Sequence, residues 1–170
     1  MSPDRRRSIE VVEYDPAWPI LFEEVHARLE QLLSGLVAEI HHIGSTAVPG
    51  LSAKPKIDVD ILLRRPADIP EAIERMQATR DYTFHGDRHQ DDMWVFTTGR
   101  GSYGQRLYLC APEHPTHLRR ILFRDYLRRY PEAAATYAAL KHRLHLRPSM
   151  TGITTREARD RSSPKSCGER

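Results

Sequence analysis

Two periodicities divide the chain. From Trp18 onward, Leu21, Phe22, Val25, Leu29, Leu32, Leu33 and Leu36 recur at steps of three and four, which places them on one face of an α-helix. Asp15-Pro16 ahead of them supplies an N-cap and a proline at the first helical position. Next come a short strand, Val37 to Ile43, and a loop rich in Gly and Pro. In IDVDILL (57–63), Ile57, Val59, Ile61 and Leu63 alternate with Asp58 and Asp60, so a strand with one apolar face is expected. Asp68 and Glu71 form a capping-box-like start to a second helix carrying Ile69, Ile73 and Met76. Three further strands are predicted over 81–85, 93–98 and 105–110, the last two joined as a hairpin by GRGSYG (99–104). From Pro115 the pattern is helical again, with Leu118, Ile121, Leu122 and Leu127 expected to face the sheet and a break at Tyr130-Pro131. The order α-β-β-α-β-β-β-α-α implies an α+β fold, a mixed β-sheet with flanking helices, over residues 1–146. From residue 147 on, no hydrophobic period survives, and 147–170 reads as a poorly ordered tail.

Composition sharpens this only in places. With 39% hydrophobic and 29% charged residues, the chain has the balance of a soluble globular domain. No apolar run approaches the roughly 18 residues of a spanning helix, and MSPDRRRSIE lacks a signal-peptide core, so no membrane is expected and the cytoplasm is. Cys110 sits in an apolar run and Cys167 in the polar tail, which argues against a disulfide. The net charge of +3 gathers in RRR at 5–7 and in the stretch from Arg119 to Arg147. That excess suits an anionic substrate or a phosphate chain. It is too small to argue for nucleic acid, and the basic helices lack the interleaved aromatics of a stacking platform.

The candidate chemistry lies in HHIGSTAVPGLSAKPKIDVDI (41–61). Asp58 and Asp60, two apart on a strand, share a face, and both carboxylates are expected on its open side within reach of one ion. Oxygen-only ligation suits Mg²⁺ or Mn²⁺, completed by substrate phosphates. The turn Gly44-Ser45-Thr46 after the preceding strand offers amides and hydroxyls to a phosphate, and Lys54 and Lys56 lie just before the aspartates. A lone D-x-D is better explained as the solvent face of an ordinary sheet. A Gly-Ser turn, then twelve residues, then D-V-D is far more specific.

That combination resembles the signature of the DNA polymerase β-like nucleotidyltransferase superfamily. The segments YDPAWPILFEEV, HHIGSTAVPGL, AKPKIDVDI and LFRDYLRRYPEAAATYAALK are similar to the GrpB family, over roughly residues 9–146. The resemblance implies a nucleotidyltransferase-like domain with Asp58 and Asp60 at the catalytic metal position and Gly44 and Ser45 at the phosphate position. The implied reaction is transfer of a nucleoside monophosphate from an NTP to an unknown small acceptor. The alternative is a catalytically degenerate nucleotide-binding or regulatory module.

Departures from the family pattern favour that alternative. The expected third carboxylate is missing from QRLYLC (105–110), and a family His-x-His is replaced there by Arg106-Leu107-Tyr108. Arg106 is therefore expected to face the aspartates, either contacting nucleotide or neutralising the pair, which would weaken metal binding and turnover. Asp91 or Asp92 is a weaker substitute acid. Arg124 is expected to pair with Asp125 or reach a triphosphate, and Lys141 is a further phosphate candidate. His41 and His42 fall on opposite faces of their strand, with a structural role preferred. His85, Arg88 and His89 are expected in a polar loop. The tail lacks the family's DR-x-x-Y-x-x-K helix, as a one-base frameshift near codon 149 would explain; the DNA sequence decides that.

Overall fold

The computed structural model describes residues 11–88, 90–98 and 104–145. Five strands, β1 (Val37–Ile43), β2 (Lys56–Leu63), β3 (Thr83–Asp87), β4 (Trp94–Thr98) and β5 (Gly104–Cys110), form one sheet in the order β1-β2-β5-β4-β3. β2 and β5 run parallel and every other neighbouring pair antiparallel, so the sheet is mixed, as expected. Four helices, α1 (Ala17–Leu32), α2 (Ile69–Ala78), α3 (Pro115–Arg129) and α4 (Pro131–His145), complete the α+β fold.

The two faces of the sheet follow from the alternation in β2. Ile57, Val59, Ile61 and Leu63 point to one side, each at most 1% exposed, where Leu107, Leu109 and Phe96 join them. Trp18, Val25, Leu29 and Leu33 from the α1 region and Ala72 and Met76 of α2 close that core. The other face of β2 carries Lys56, Asp58 and Asp60. The parallel register sets Gly104, Arg106 and Tyr108 of β5 directly opposite them. α3 lies over this polar face, and α4 packs beside it against Val48 and Leu51 of the loop after β1.

Several local expectations shift. α1 stops at Leu32; Leu33 and Leu36 stay buried in the turn beyond it. Asp15 does accept the Ala17 N–H at 2.8 Å at the start of that helix. The capping box at α2 is absent: Arg65 holds Asp68 at 2.7 Å and Arg75 holds Glu71 at 2.6 Å, so both carboxylates serve ion pairs instead. β3 runs from Thr83 to Asp87, starting and ending two residues later than expected. The apolar residues of α3 are corrected most. Leu127 is buried, but Leu118 and Leu122 are 48% and 71% exposed. α3 turns a different stripe inward, one that contains His117, Arg120, Arg124 and Leu127. β4 and β5 pair as the predicted hairpin, while residues 99–103 of its turn, Arg5–Arg7, His89, Cys167 and the tail from 147 lie outside the described residues. Cys110 is a free, buried thiol that burial pushes up to about 12. Among the described residues, no helix is long and apolar enough to cross a membrane.

Candidate functional site: a cationic cleft over two unequal aspartates

β1 ends at Ile43, and the chain must turn at once to pass over β2. Gly44 makes that turn with φ +73°, a conformation side chains disfavour. A Cβ there would sit 2.8 Å from Oδ2 of Asp58, so the turn closes directly on the carboxylate. A short 3₁₀ turn follows over Ser45–Ala47. Thr46 fastens it: its hydroxyl donates to the Lys56 carbonyl at 3.1 Å and meets His42 Nε2 at 3.0 Å. With the hydroxyl proton given to Lys56, the imidazole Nε2–H is the donor to Thr46. His42 itself is buried and stacked on Phe22, with ring centroids 4.7 Å apart. His41, on the opposite face, meets Glu39 at 2.6 Å and the ring of His117.

From α4, Lys141 Nζ donates to Ser45 Oγ at 2.9 Å and to the Ser52 carbonyl at 2.7 Å. Burial holds the Lys141 ammonium below its usual pKa, and the charge of Lys54 adds to the effect. Ser45, Lys54, Lys56, Asp58, Arg106 and Lys141 line one cavity of about 330 Å³, with Thr46 at its edge. A second cavity of about 220 Å³ shares Ser45, Asp58, Arg106 and Tyr137 with it and continues past Tyr108, Arg120, Phe123 and Arg124. All the residues expected at a nucleotide site (Gly44, Ser45, Thr46, Lys54, Lys56 and Arg106) thus meet along these two connected spaces.

Residues 8–156 match the family described as GrpB protein. The chain belongs to the GrpB family. The UPF0157 protein YqkA of Bacillus subtilis is 34% identical over 82% of this chain and 40% of its own length. The UPF0157 protein PA4798 of Pseudomonas aeruginosa is 37% identical over 80% of this chain and 57% of its own. The chain therefore spans only about half the length of these relatives. The crystal structure of conserved protein GrpB from Enterococcus faecalis superposes with a TM-score of 0.74 at 28% identity, covering 89% of this chain and 93% of that one.

Within this GrpB domain the two aspartates are not equivalent. Asp58 keeps a side chain 23% exposed, and its Oδ1 has no hydrogen-bond partner. Arg106 Nη1 stands 3.8 Å from that oxygen, which is the ion pair expected from the strand register. Burial raises the Asp58 pKa, against the opposing charges of Arg106, Arg120 and Lys56. Asp60 is 0% exposed, and both its oxygens are engaged: Oδ2 with His117 Nδ1 at 2.9 Å and Oδ1 with Arg120 Nη1 at 2.7 Å. The expectation that both carboxylates lie open on the strand therefore fails at Asp60, because α3 covers it.

A divalent ion shared by the pair does not fit this arrangement. It would have to displace Arg120 and His117 from a carboxylate with no exposed surface, and it would meet Arg106 at the other one. Among the described residues, no three His, Cys, Asp or Glu side chains cluster well enough to hold a metal. Asp91 is tied to the start of α3, though its Oδ1 keeps no hydrogen-bond partner. Its carbonyl accepts from His114 and its Oδ2 from Thr116. Arg124 does pair with Asp125, at 2.7 Å, and also donates to the His42 carbonyl. His85 meets Thr97 and Arg88, and neither His85 nor Arg88 lines the two cavities.

His117 and Arg120 are the site residues that apolar periodicity missed. Their signal was present as polarity: His117, Arg120 and Arg124 recur at three- and four-residue steps, and a polar stripe can bury itself only against acceptors such as the Asp60 carboxylate or a backbone carbonyl. Gly44→Ala tests how tightly the turn and Asp58 fit. The substitution combines an unfavourable φ with a 2.8 Å clash, and a loss of about 1–3 kcal/mol is expected. Unchanged denaturation midpoints would show that the turn has room to relax.

Proposed function

We propose that this GrpB-family domain binds a nucleoside triphosphate, with the phosphate chain in the 330 Å³ cavity and the rest of the nucleotide toward the aromatic one. One observation carries the reading. Lys54 and Lys56 from the loop and strand, Arg106 from β5 and Lys141 from α4 converge from separate parts of the chain on Ser45 and one cavity. Separately placed cations around a glycine turn repel one another, and an anion relieves the repulsion; at Lys141, burial lowers the pKa and the charge of Lys54 adds to it. The chain's own groups would bind and orient: the lysines at the phosphate oxygens, Ser45 as a donor once Lys141 turns to the ligand, and Tyr137 and Phe123 beside the base or sugar. A cytoplasmic setting, where nucleotides are abundant, belongs to the same reading.

A second reading, transfer of the nucleoside monophosphate to a small acceptor, is favoured by Asp58. Its carboxylate, 23% exposed, lines the cleft and is placed to take a proton from an acceptor hydroxyl or amine. The Arg106–Asp58 pair weakens that base, so any transfer is expected to be slow.

The test is calorimetry with each of the four NTPs on the parent and on Ser45→Ala, together with release of labelled pyrophosphate. Ser45→Ala should weaken binding by about 1–2 kcal/mol, the loss of one charge-assisted contact. Equal affinities would move the phosphate chain away from the turn. Pyrophosphate release that depends on Asp58 would establish the second reading.

A further inference from the structure

We propose that this cleft holds the phosphate chain with side-chain cations alone, Arg106 and Arg120 occupying the positions beside Asp58 and Asp60 where a divalent ion would sit. The proposal rests on the triphosphate reading and names how that site is charged.

The register fixes the first arginine. β2 and β5 are parallel, Asp58 pairs with Arg106 and Asp60 with Tyr108, and paired residues on adjacent strands share a face. Arg106 Nη1 lies 3.8 Å from Asp58 Oδ1 and donates to Tyr108 Oη at 3.4 Å, so the guanidinium lies along the cleft wall. The second is locked from three sides. Arg120 donates to Asp60 Oδ1 at 2.7 Å, touches Met93 Sδ at 3.3 Å, and stacks its guanidinium 3.8 Å from the Tyr108 ring centroid. Arginine stays protonated at every working pH, so a fixed positive charge stands beside each carboxylate and opposes a metal there.

Lys56 is placed to add to them. In register it faces Gly104, and a Cβ at 104 would lie 3.1 Å from its Cε. The glycine leaves the lysine stem free to cross β5 toward the cavity. Along the two cavities Lys54, Lys56, Arg106, Arg120 and Lys141 outnumber Asp58 and the underlying Asp60 by three, with Arg124 set against its own Asp125. A cleft of that sign attracts a polyanion and repels a free divalent cation.

The experiment is titration calorimetry of the full chain with ATP, GTP, CTP and UTP, once in EDTA and once in excess Mg²⁺. At least one nucleotide is expected to bind as tightly in EDTA as in Mg²⁺, or tighter, and to weaken steeply with added salt. Arg106→Gln, whose site is partly solvent-exposed, should weaken binding in EDTA about tenfold, the loss of one charged contact. Lys56→Gln provides the same readout if the arginine variant does not fold. Binding that appears only with Mg²⁺ would overturn this proposal and leave the triphosphate reading standing. An arginine or lysine variant that binds like the parent would overturn it too. No binding in either buffer would overturn both.

Discussion

Asp60→Ala is expected to cost the fold about 3 kcal/mol, while Asp58→Asn should leave stability unchanged or raise it. The two residues look alike in the sequence, two apart in one strand. Asp60, however, has no exposed surface, balances the charge of Arg120 and is hydrogen-bonded to His117. Removing one partner of a buried ion pair strands the other, and such losses reach roughly 3–5 kcal/mol. The lower figure applies because Arg120 keeps 26% of its side chain in water, where solvent recovers part of its charge. Asp60→Asn should cost less, since the amide oxygen can still accept from Arg120. Asp58 is the opposite case, a carboxylate with a buried, unpartnered Oδ1 whose ionised form burial disfavours. An amide of the same shape removes that charge. Urea denaturation of the three variants beside the parent checks the order; equal midpoints for Asp58→Asn and Asp60→Ala would show that α3 does not depend on this carboxylate.

The contrast shows where the sequence is legible. Alternation in IDVDILL and the helical step from Trp18 to Leu29 each sort residues by one physical rule, burial of one face, and both faces appear as read. That Arg106 faces Asp58 was accessible because the family resemblance placed its strand beside the aspartates and the two-residue step put Arg106 and Tyr108 on one face; the register itself is seen only in the fold. Burial of Asp60 was not, because it depends on a helix almost sixty residues later that lies over the polar face. Reading α3 by its leucines placed Leu118 and Leu122 inside. The fold instead buries the cationic stripe, because only that stripe can satisfy the carboxylate beneath it. Lys141 reaching Ser45 is hidden for the same reason, since α4 returns across 96 residues of chain to make the contact. Patterns within one element declare themselves; polar contacts between distant elements do not.

The turn at the head of the cleft should fail in mild acid, through His42. Burial, with Arg128 and Arg124 adding to it, lowers this imidazole's pKa from 6.5 to about 4. The sign follows from which state takes the proton. Between pH 6.5 and about 4 the unfolded chain is protonated at His42 and the folded one refuses the proton, so the unfolded state gains. Stability is therefore whole above pH 6.5 and declines as pH falls toward about 4, by up to about 3 kcal/mol if the whole shift is realised. Protonation in the fold would set a buried cation beside Arg124, which donates to His42's own carbonyl, and Arg128, whose guanidinium holds the Ala47 carbonyl. His42→Gln keeps a donor for Thr46 and cannot take up a proton, so its stability should fall much less over the same range. Other acid-sensitive groups act equally in both proteins and drop out of the difference. Urea midpoints at pH 7.5, 6, 5 and 4.5 decide the matter: parallel curves for parent and variant would mean that the ring is solvated and free to charge. Diverging curves would establish that the neutral imidazole, through Thr46 and the Lys56 carbonyl, pins the Gly44-Ser45 turn over Asp58.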